Sequence, residues 1–94
     1  MSMPRFSAKR DANEQEIVDA ARQLGWWLTK LDTPCDWLGA FRGVWFPIEI
    51  KGEHGTLTAA QKKFHREAYQ RGASVLTWVD VDDVMIDSKA RQSA

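Results

Sequence analysis

One stretch decides the fold: PCDWLGAFRGVWFPIEIKGEHGTLTAAQ, residues 34–61. Strand-forming residues lie on both sides of Arg42-Gly43, and the glycine supplies the positive φ that a tight turn requires. The pattern therefore predicts two antiparallel strands, residues 36–41 and 44–51, joined at that turn so that Phe41 faces Val44.

The same register sets Asp36 opposite Glu49 on one face of the hairpin, where facing Cβ atoms lie about 4.5–5.5 Å apart. Two carboxylates there oppose folding unless a positive group lies between them. Side chains alternate along a strand, so Lys51 shares the face of Glu49. Such carboxylates, with waters and phosphate oxygens, are typical magnesium ligands, and the Ile50 carbonyl could add another. The residues alone leave a second interpretation open, a salt-bridge cluster at a strand end.

Helices are predicted on both sides of this hairpin. Apolar residues at helical spacing indicate a first helix from Asn13 that Gly25 ends. Thr58, with Gln61 three residues later, forms a capping box that opens a second helix, which ends near Arg71.

Two further strands and a short last helix complete the predicted α/β fold. Residues 26–31 and 73–79 are rich in strand formers, and a helix containing residues 84–86 follows. The order α-β-β-β-α-β-α describes a mixed sheet with helices packed on it. Both faces of residues 44–51 are largely apolar, which predicts a strand covered on both sides. Residues 52–56 are expected to form a flexible connection.

Length and composition indicate one small domain. The 94 residues, 44% of them hydrophobic, suffice for a single core. We expect a flexible basic arm over residues 1–12, the domain over 13–87 and a polar tail over 88–94. Thirteen basic and thirteen acidic residues cancel, which argues against a protein that coats DNA but not against an enzyme with an acidic centre.

The sequence also favours a cytoplasmic protein. Its one cysteine, Cys35, cannot form an internal disulfide, which suits a reducing compartment. No apolar run approaches the roughly 20 residues of a membrane span. Cys35 also has no partnering histidine or second cysteine nearby in sequence, so we expect no nucleophilic role.

Three more polar residues are candidates for the carboxylate face. Glu14 lies on the inward side of the first helix, although an acid in a first turn also complements the helix dipole. Gln61 points inward from the second helix, with its capping role as the alternative interpretation. His65, one turn further on, is expected to be half-buried and hydrogen-bonded rather than a ligand.

Four motifs in order carry a resemblance to a known family. They are E-x-x-I from Glu14, P-x-D from Pro34, I-E-I-K from Ile48 and L-T-x-x-Q from Leu57. Together they resemble the PD-(D/E)XK nuclease superfamily, above all the small stand-alone VRR-NUC (virus-type replication-repair nuclease) proteins of phages and bacteria. One departure is that the usual Pro-Asp pair is Pro34-Cys35-Asp36 here, so that either one residue is inserted or Cys35 replaces the proline.

The resemblance implies an αβββαβ restriction-endonuclease-like core and a magnesium- or manganese-dependent endonuclease that hydrolyses DNA phosphodiester bonds. It implies that Asp36 and Glu49 bind the metal, that Lys51 is the catalytic lysine, and that Glu14 and Gln61 act beside them. Small members are similar to junction resolvases, which implies a homodimer acting on branched or four-way DNA. No membrane partner and no small-molecule cofactor are expected.

Basic residues next to this site are candidates for DNA contact. Lys62, Lys63 and Arg66 lie on an outward face of the second helix, where they could bind phosphates or simply be solvated. A non-catalytic DNA-binding or assembly module that kept the nuclease fold is the alternative function.

Overall fold

The computed structural model describes the backbone of residues 5–31, 33–52 and 56–92, and the side chains from residue 13 onward within those ranges. Three helices and four strands confirm the predicted α/β class. They are α1 (Arg5–Gln23), β1 (Trp27–Lys30), β2 (Trp37–Phe41), β3 (Val44–Ile50), α2 (Ala59–Gln70), β4 (Leu76–Trp78) and α3 (Val81–Gln92).

The strands form one mixed sheet in the order β1-β2-β3-β4. The first three strands pair antiparallel, and β4 pairs parallel to β3. Phe41 pairs with Val44, which confirms the predicted register. Both turn residues have positive φ, 51° at Arg42 and 83° at Gly43, the type I′ geometry whose twist matches a two-residue hairpin.

Helices α1 and α3 cover one face of the sheet and build the core there. Trp26 stacks on Phe41 at a centroid distance of 4.7 Å and meets Trp78 edge to face at 5.0 Å. The indole Nε1 of Trp26 donates to Ser88 Oγ of α3 at 2.7 Å, so the polar end of the ring is satisfied inside the core. The buried core residues are Ile17, Val18, Ala21, Trp26, Leu28, Phe41, Ile48, Ile50, Leu76, Trp78 and Val84.

The opposite face of the sheet is only partly covered, so the predicted coverage of the whole of β3 is wrong. Near the hairpin turn, Trp45 on this face is 62% exposed, and Val44, on the core face, is 52% exposed. Further along the strand, Glu49 is buried and in contact with side chains of α2. The chain therefore encloses the carboxylate end of β3 and leaves its beginning open.

Both chain ends differ from the predicted arm and tail. Helix α1 begins at Arg5, so part of the predicted arm is helical. Helix α3 continues to Gln92 with Lys89 and Arg91 in its last turn, where cations complement the helix dipole. Its Ser88 is buried, so the packed part of α3 extends past residue 87.

Some sequence expectations fall outside the described residues. The residues concerned are 1–4, 32, 53–55 in the middle of the predicted connection, and 93–94. Within the part of the chain that the structure describes, no helix is long and apolar enough to cross a membrane.

Candidate active site

Asp36 and Glu49 lie side by side just beyond the last ladder pair of the hairpin, Trp37 with Ile48. Each carboxylate accepts a backbone hydrogen bond across the gap between the strands. Asp36 N–H donates to Glu49 Oε1 at 3.1 Å, and Ile50 N–H donates to Asp36 Oδ2 at 3.0 Å. These side-chain bonds continue the ladder where backbone pairing stops, and they fix the carboxylates in the arrangement that the register predicts.

Glu49 is an unusual residue because its side chain is 0% exposed. Burial, followed by the charge of Asp36, raises the pKa of its carboxyl from 4.5 to about 7. Its Oε1 is hydrogen-bonded, whereas Oε2 is buried without a hydrogen-bond partner. Buried carboxylate oxygens are normally paired, so this atom marks a place that a positive or hydrogen-bonding group would stabilise.

Lys51 and Gln61 join the carboxylates from the same face. Lys51 is 8% exposed, and its Nζ donates to Gln61 Oε1 at 2.8 Å. The amide Nε2 of Gln61 in turn donates to Glu49 Oε1 at 3.3 Å. The alternation that put Lys51 on the face of Glu49 is therefore correct.

Gln61 also caps its own helix. Its Oε1 accepts the Thr58 N–H at 3.0 Å, while Thr58 Oγ1 accepts the Gln61 N–H at 3.1 Å. Capping and contact with the site were separate alternatives in the sequence, and the structure shows both at once. The capping box thus ties the start of α2 to the carboxylate end of β3.

Glu14 lies on the side of the sheet opposite to Asp36 and Glu49. It accepts from Lys30 Nζ at 3.0 Å and from Trp37 Nε1 at 2.9 Å, and Trp37 projects from the face opposite to Asp36. Among the described residues, no hydrogen bond or ion pair joins Glu14 to the two carboxylates. From the described part of α1, Asn13 reaches the residue after β3, and its Nδ2 donates to the Lys51 carbonyl at 3.5 Å.

His65 is half-buried beside Glu49, on the inward face of α2 where the sequence placed it. Its Nε2 is buried without a hydrogen-bond partner, 3.7 Å from Glu49 Oε2, so the expected hydrogen-bonded histidine is wrong. Burial and the positive charge of Lys51 lower its pKa. The spacing of four residues places His65 and Gln61 on one face of α2, as the sequence indicated.

Cys35 has no nucleophilic environment. It is buried, its Sγ donates to the Trp37 carbonyl at 3.3 Å, and burial raises the pKa of its thiol. A protonated, enclosed thiol is a packing residue. These surroundings do not favour a nucleophilic role for Cys35.

The cationic residues of α2 lie on its outer side. Lys62, Lys63 and Arg66 are all exposed, as their helical positions predict. They flank the helix face that carries Gln61 and His65, so a polyanion lying along α2 would meet them beside the carboxylates.

The donors at this strand end fit a hard divalent cation. Two adjacent carboxylates, one with an orphaned oxygen, together with the Ile50 carbonyl and waters, are oxygen donors of the type that Mg²⁺ and Mn²⁺ take. Within the described ranges, no group of three or more His, Cys, Asp or Glu side chains is arranged to hold an ion. An ion here would therefore depend on water or substrate oxygens to complete its coordination.

Comparison with known proteins agrees with the fold inferred from the four motifs. No family model matches the sequence, and no curated protein matches it. A solved structure described as "VRR_NUC domain" superposes with a TM-score of 0.70 and 24% sequence identity. The match covers 81% of this chain and 89% of that chain. The protein therefore has a VRR-NUC-type fold.

Proposed function

We propose that this protein is a divalent-metal-dependent endonuclease that hydrolyses DNA phosphodiester bonds. The observation that carries the proposal is the buried Glu49 beside Asp36, with Lys51 and Gln61 on the same face. The solved VRR_NUC domain supports it through the shared fold. In a purely structural salt-bridge cluster, the buried oxygen Glu49 Oε2 would be expected to have a hydrogen-bond partner.

Asp36 and Glu49 would hold Mg²⁺ or Mn²⁺, with the Ile50 carbonyl as a further donor. A bound ion activates water and neutralises charge on a scissile phosphate. Lys51 would orient the attacking water, take its proton or stabilise charge that develops on the phosphate. Gln61 holds the Lys51 ammonium in place and thereby limits the positions that it can occupy.

Glu14 is retained in the proposed site on the strength of the motif resemblance alone. Its present partners are Lys30 and Trp37, so a catalytic role requires it to exchange them for a group at the carboxylate end. Replacement of Glu14 by glutamine separates the two roles, since a purely structural Glu14 affects stability and leaves cleavage per folded molecule unchanged.

DNA would lie along α2, with Lys62, Lys63 and Arg66 on its phosphates. Substitution of these cations should weaken binding for all sequences alike and reduce the salt dependence of affinity. The preferred substrate is proposed to be branched or four-way DNA bound by a homodimer, because one small domain has little surface for duplex DNA. Sedimentation with and without a four-way junction tests the dimer.

The deciding experiment is cleavage of four-way, duplex and single-stranded DNA with Mg²⁺ or Mn²⁺. We expect wild type to cleave, and Glu49→Gln and Lys51→Met each to lose about 100-fold or more in rate. Glu67→Gln is the matched control, because Glu67 is an exposed carboxylate on α2. Thermal unfolding of every variant shows that the compared samples are folded.

Two results would contradict the proposal in different ways. Unchanged cleavage in both site variants would place catalysis elsewhere in the chain. Binding of DNA without cleavage of any substrate by wild type would favour the non-catalytic DNA-binding module.

A further inference from the structure

Two tryptophans are exposed on the face of the sheet that carries the carboxylates. Trp27 of β1 and Trp45 of β3 are 53% and 62% exposed, and their rings meet edge to face at a centroid distance of 5.7 Å. Single exposed apolar side chains are ordinary on a protein surface, whereas a contiguous apolar patch marks an interaction site. The pair therefore indicates a partner that covers it.

The register of the sheet shows what surrounds the pair. Ala40 of β2 pairs with both Trp27 and Trp45, so the three residues form one row across the antiparallel strands. Alternation gives the same face a second row, two residues nearer to the carboxylates. We call the two rows the tryptophan face; they are Trp27, Ala40 and Trp45, then Thr29, Leu38 and Pro47. All six side chains are uncharged, which suits a ligand that presents flat apolar surfaces.

The tryptophan face leads directly to the proposed metal site. Trp45 and Glu49 lie four residues apart on the same side of β3, a distance of about 13 Å at about 3.3 Å per residue. Beyond Glu49, the same surface meets α2 at Gln61. The carboxylates thus lie between the tryptophan face and the helix whose cations are proposed to hold DNA phosphates.

The exposed area of the two tryptophans limits the class of partner. With about 250 Å² for a whole tryptophan, the exposed fractions of Trp27 and Trp45 amount to roughly 300 Å². A stable contact between two proteins buries about 800 Å² on each partner, so this pair alone is too small to hold a second copy of the chain. Nucleobases are flat and similar in size to an indole ring, and they stack on aromatic side chains.

Stacking on a side chain requires a base whose own face is free. Bases inside a duplex are stacked on their neighbours, so a ring on a protein surface takes bases that are unpaired and unstacked. The edge-to-face contact holds Trp27 and Trp45 against each other, and more than half of each residue is open to solvent. The rings are therefore both positioned and accessible.

We propose that the tryptophan face binds unpaired bases of a DNA strand and so leads the backbone of that strand to the carboxylates. The inference rests on the proposed function, and it narrows the substrate to DNA with a single-stranded segment beside the scissile phosphate. At about 3.4 Å per nucleotide along a stacked strand, the distance from Trp45 to Glu49 corresponds to about four nucleotides. The paired part of the same substrate would lie along α2.

The test measures DNA binding in chelator, where metal-dependent cleavage does not occur. Fluorescence anisotropy compares a labelled strand of about 12 thymidines, an abasic strand of the same length and a blunt duplex. The proteins are wild type, Trp27→Ala, Trp45→Ala and the double variants with alanine or phenylalanine at both positions. Ile86→Ala is the matched control, because Ile86 is 65% exposed on α3, which covers the opposite face of the sheet.

Wild type should bind the thymidine strand about tenfold or more tightly than the abasic strand. This ratio should persist as salt is raised, because salt weakens the phosphate contacts that both strands share. Each alanine variant should lose about tenfold in affinity for the thymidine strand and little for the abasic strand or the duplex. The double phenylalanine variant keeps aromatic faces and should retain most of the affinity, and urea unfolding shows that all variants are folded.

Three results would overturn the inference. The first is equal affinity of wild type for the thymidine and abasic strands, and the second is alanine variants that bind the thymidine strand as wild type does. The third concerns sedimentation without DNA. A double alanine variant that changes from dimer to monomer, with unchanged affinity for the thymidine strand, would assign the tryptophan face to a second copy of the chain.

Failure of this inference is distinguishable from failure of the proposed nuclease. A protein that binds unpaired bases through Trp27 and Trp45 but cleaves no DNA retains the binding face and loses the nuclease proposal. A protein whose cleavage depends on Glu49, while alanine at both tryptophans leaves its DNA affinity unchanged, retains the nuclease proposal and loses the binding face.

Discussion

Replacement of Glu49 by glutamine should stabilise the metal-free protein above pH 7 and leave its stability nearly unchanged at pH 4.5. Burial and the neighbouring Asp36 raise the pKa of Glu49 to about 7 in the folded protein, against 4.5 for an ordinary glutamate. Between these values the folded state keeps a proton that the unfolded state has released. Stability of the wild type therefore falls as pH rises through this window.

The size of the effect follows from the two pKa values. A tenfold change in proton affinity is worth about 1.4 kcal/mol, so ionising Glu49 costs the folded state about 3 kcal/mol once the pH exceeds 7. Glutamine is isosteric and carries no charge. Its oxygen can accept from Asp36 N–H as Glu49 Oε1 does.

The assay is urea unfolding followed by tryptophan fluorescence, in chelator, at several pH values from about 4.5 to 8.5. With an m-value of about 1–3 kcal/mol per molar urea, the variant should unfold at about 1–3 M higher urea than wild type at the alkaline end. The difference between the proteins is the informative quantity, because His65 contributes an opposite trend in both. Its lowered pKa means that stability is lost as pH falls below about 6.5.

A stability difference that does not change with pH would refute the reasoning, since it would show that Glu49 ionises as a solvated glutamate does. A variant less stable than wild type at high pH would show that Glu49 has a positive partner in the metal-free protein. Glu67→Gln, at an exposed position, controls for the general effect of removing one negative charge.

Three further changes test the geometry of the site and the packing beneath it. Asp36→Asn should stabilise the metal-free protein by about 1 kcal/mol through relief of like-charge repulsion, and should abolish the heat of Mn²⁺ binding in calorimetry; lower stability in chelator would contradict the side-by-side carboxylates. Gln61→Ala should cost about 1–2 kcal/mol in urea unfolding through loss of the helix cap and the bonds to the site, whereas Gln70→Ala at the end of the same helix should cost little. Gly39→Ala should cost about 1–3 kcal/mol in the same assay, because the added Cβ would lie 2.6 Å from a core isoleucine methyl. Gly52→Ala is the control, since nothing lies within 4 Å of a Cβ added there. Equal stability of the two variants would show that the sheet shifts to accommodate the added methyl group at Gly39.

Local rules were sufficient for the hairpin and the second helix. Arg42-Gly43 selects a two-residue turn, the turn sets the register, and the register places Asp36 beside Glu49. Thr58 and Gln61 likewise set the start of α2 through bonds between residues three apart. Each of these features depends on residues close together in the chain, so it could be predicted from the sequence.

The chain ends could not be predicted in the same way. Residues 88–92 are polar and carry no strong periodic signal, yet Ser88 is buried because Trp26, far away in sequence, needs a hydrogen-bond acceptor inside the core. The open first half of β3 is a similar case, since an apolar strand shows nothing about whether a helix will lie over it.

The sequence by itself determined which residues share the carboxylate face: Asp36, Glu49, Lys51 and Gln61. Only the tertiary structure decided what that face contains, because the approach of α2 to β3 buries Glu49, raises its pKa to about 7 and sets His65 over its free oxygen. Alternation and turn geometry are local properties of a chain. Burial and the proximity of side chains distant in sequence arise only when the elements pack. Here that packing encloses the Glu49 carboxyl, leaves one of its oxygens without a hydrogen bond and places His65 beside it.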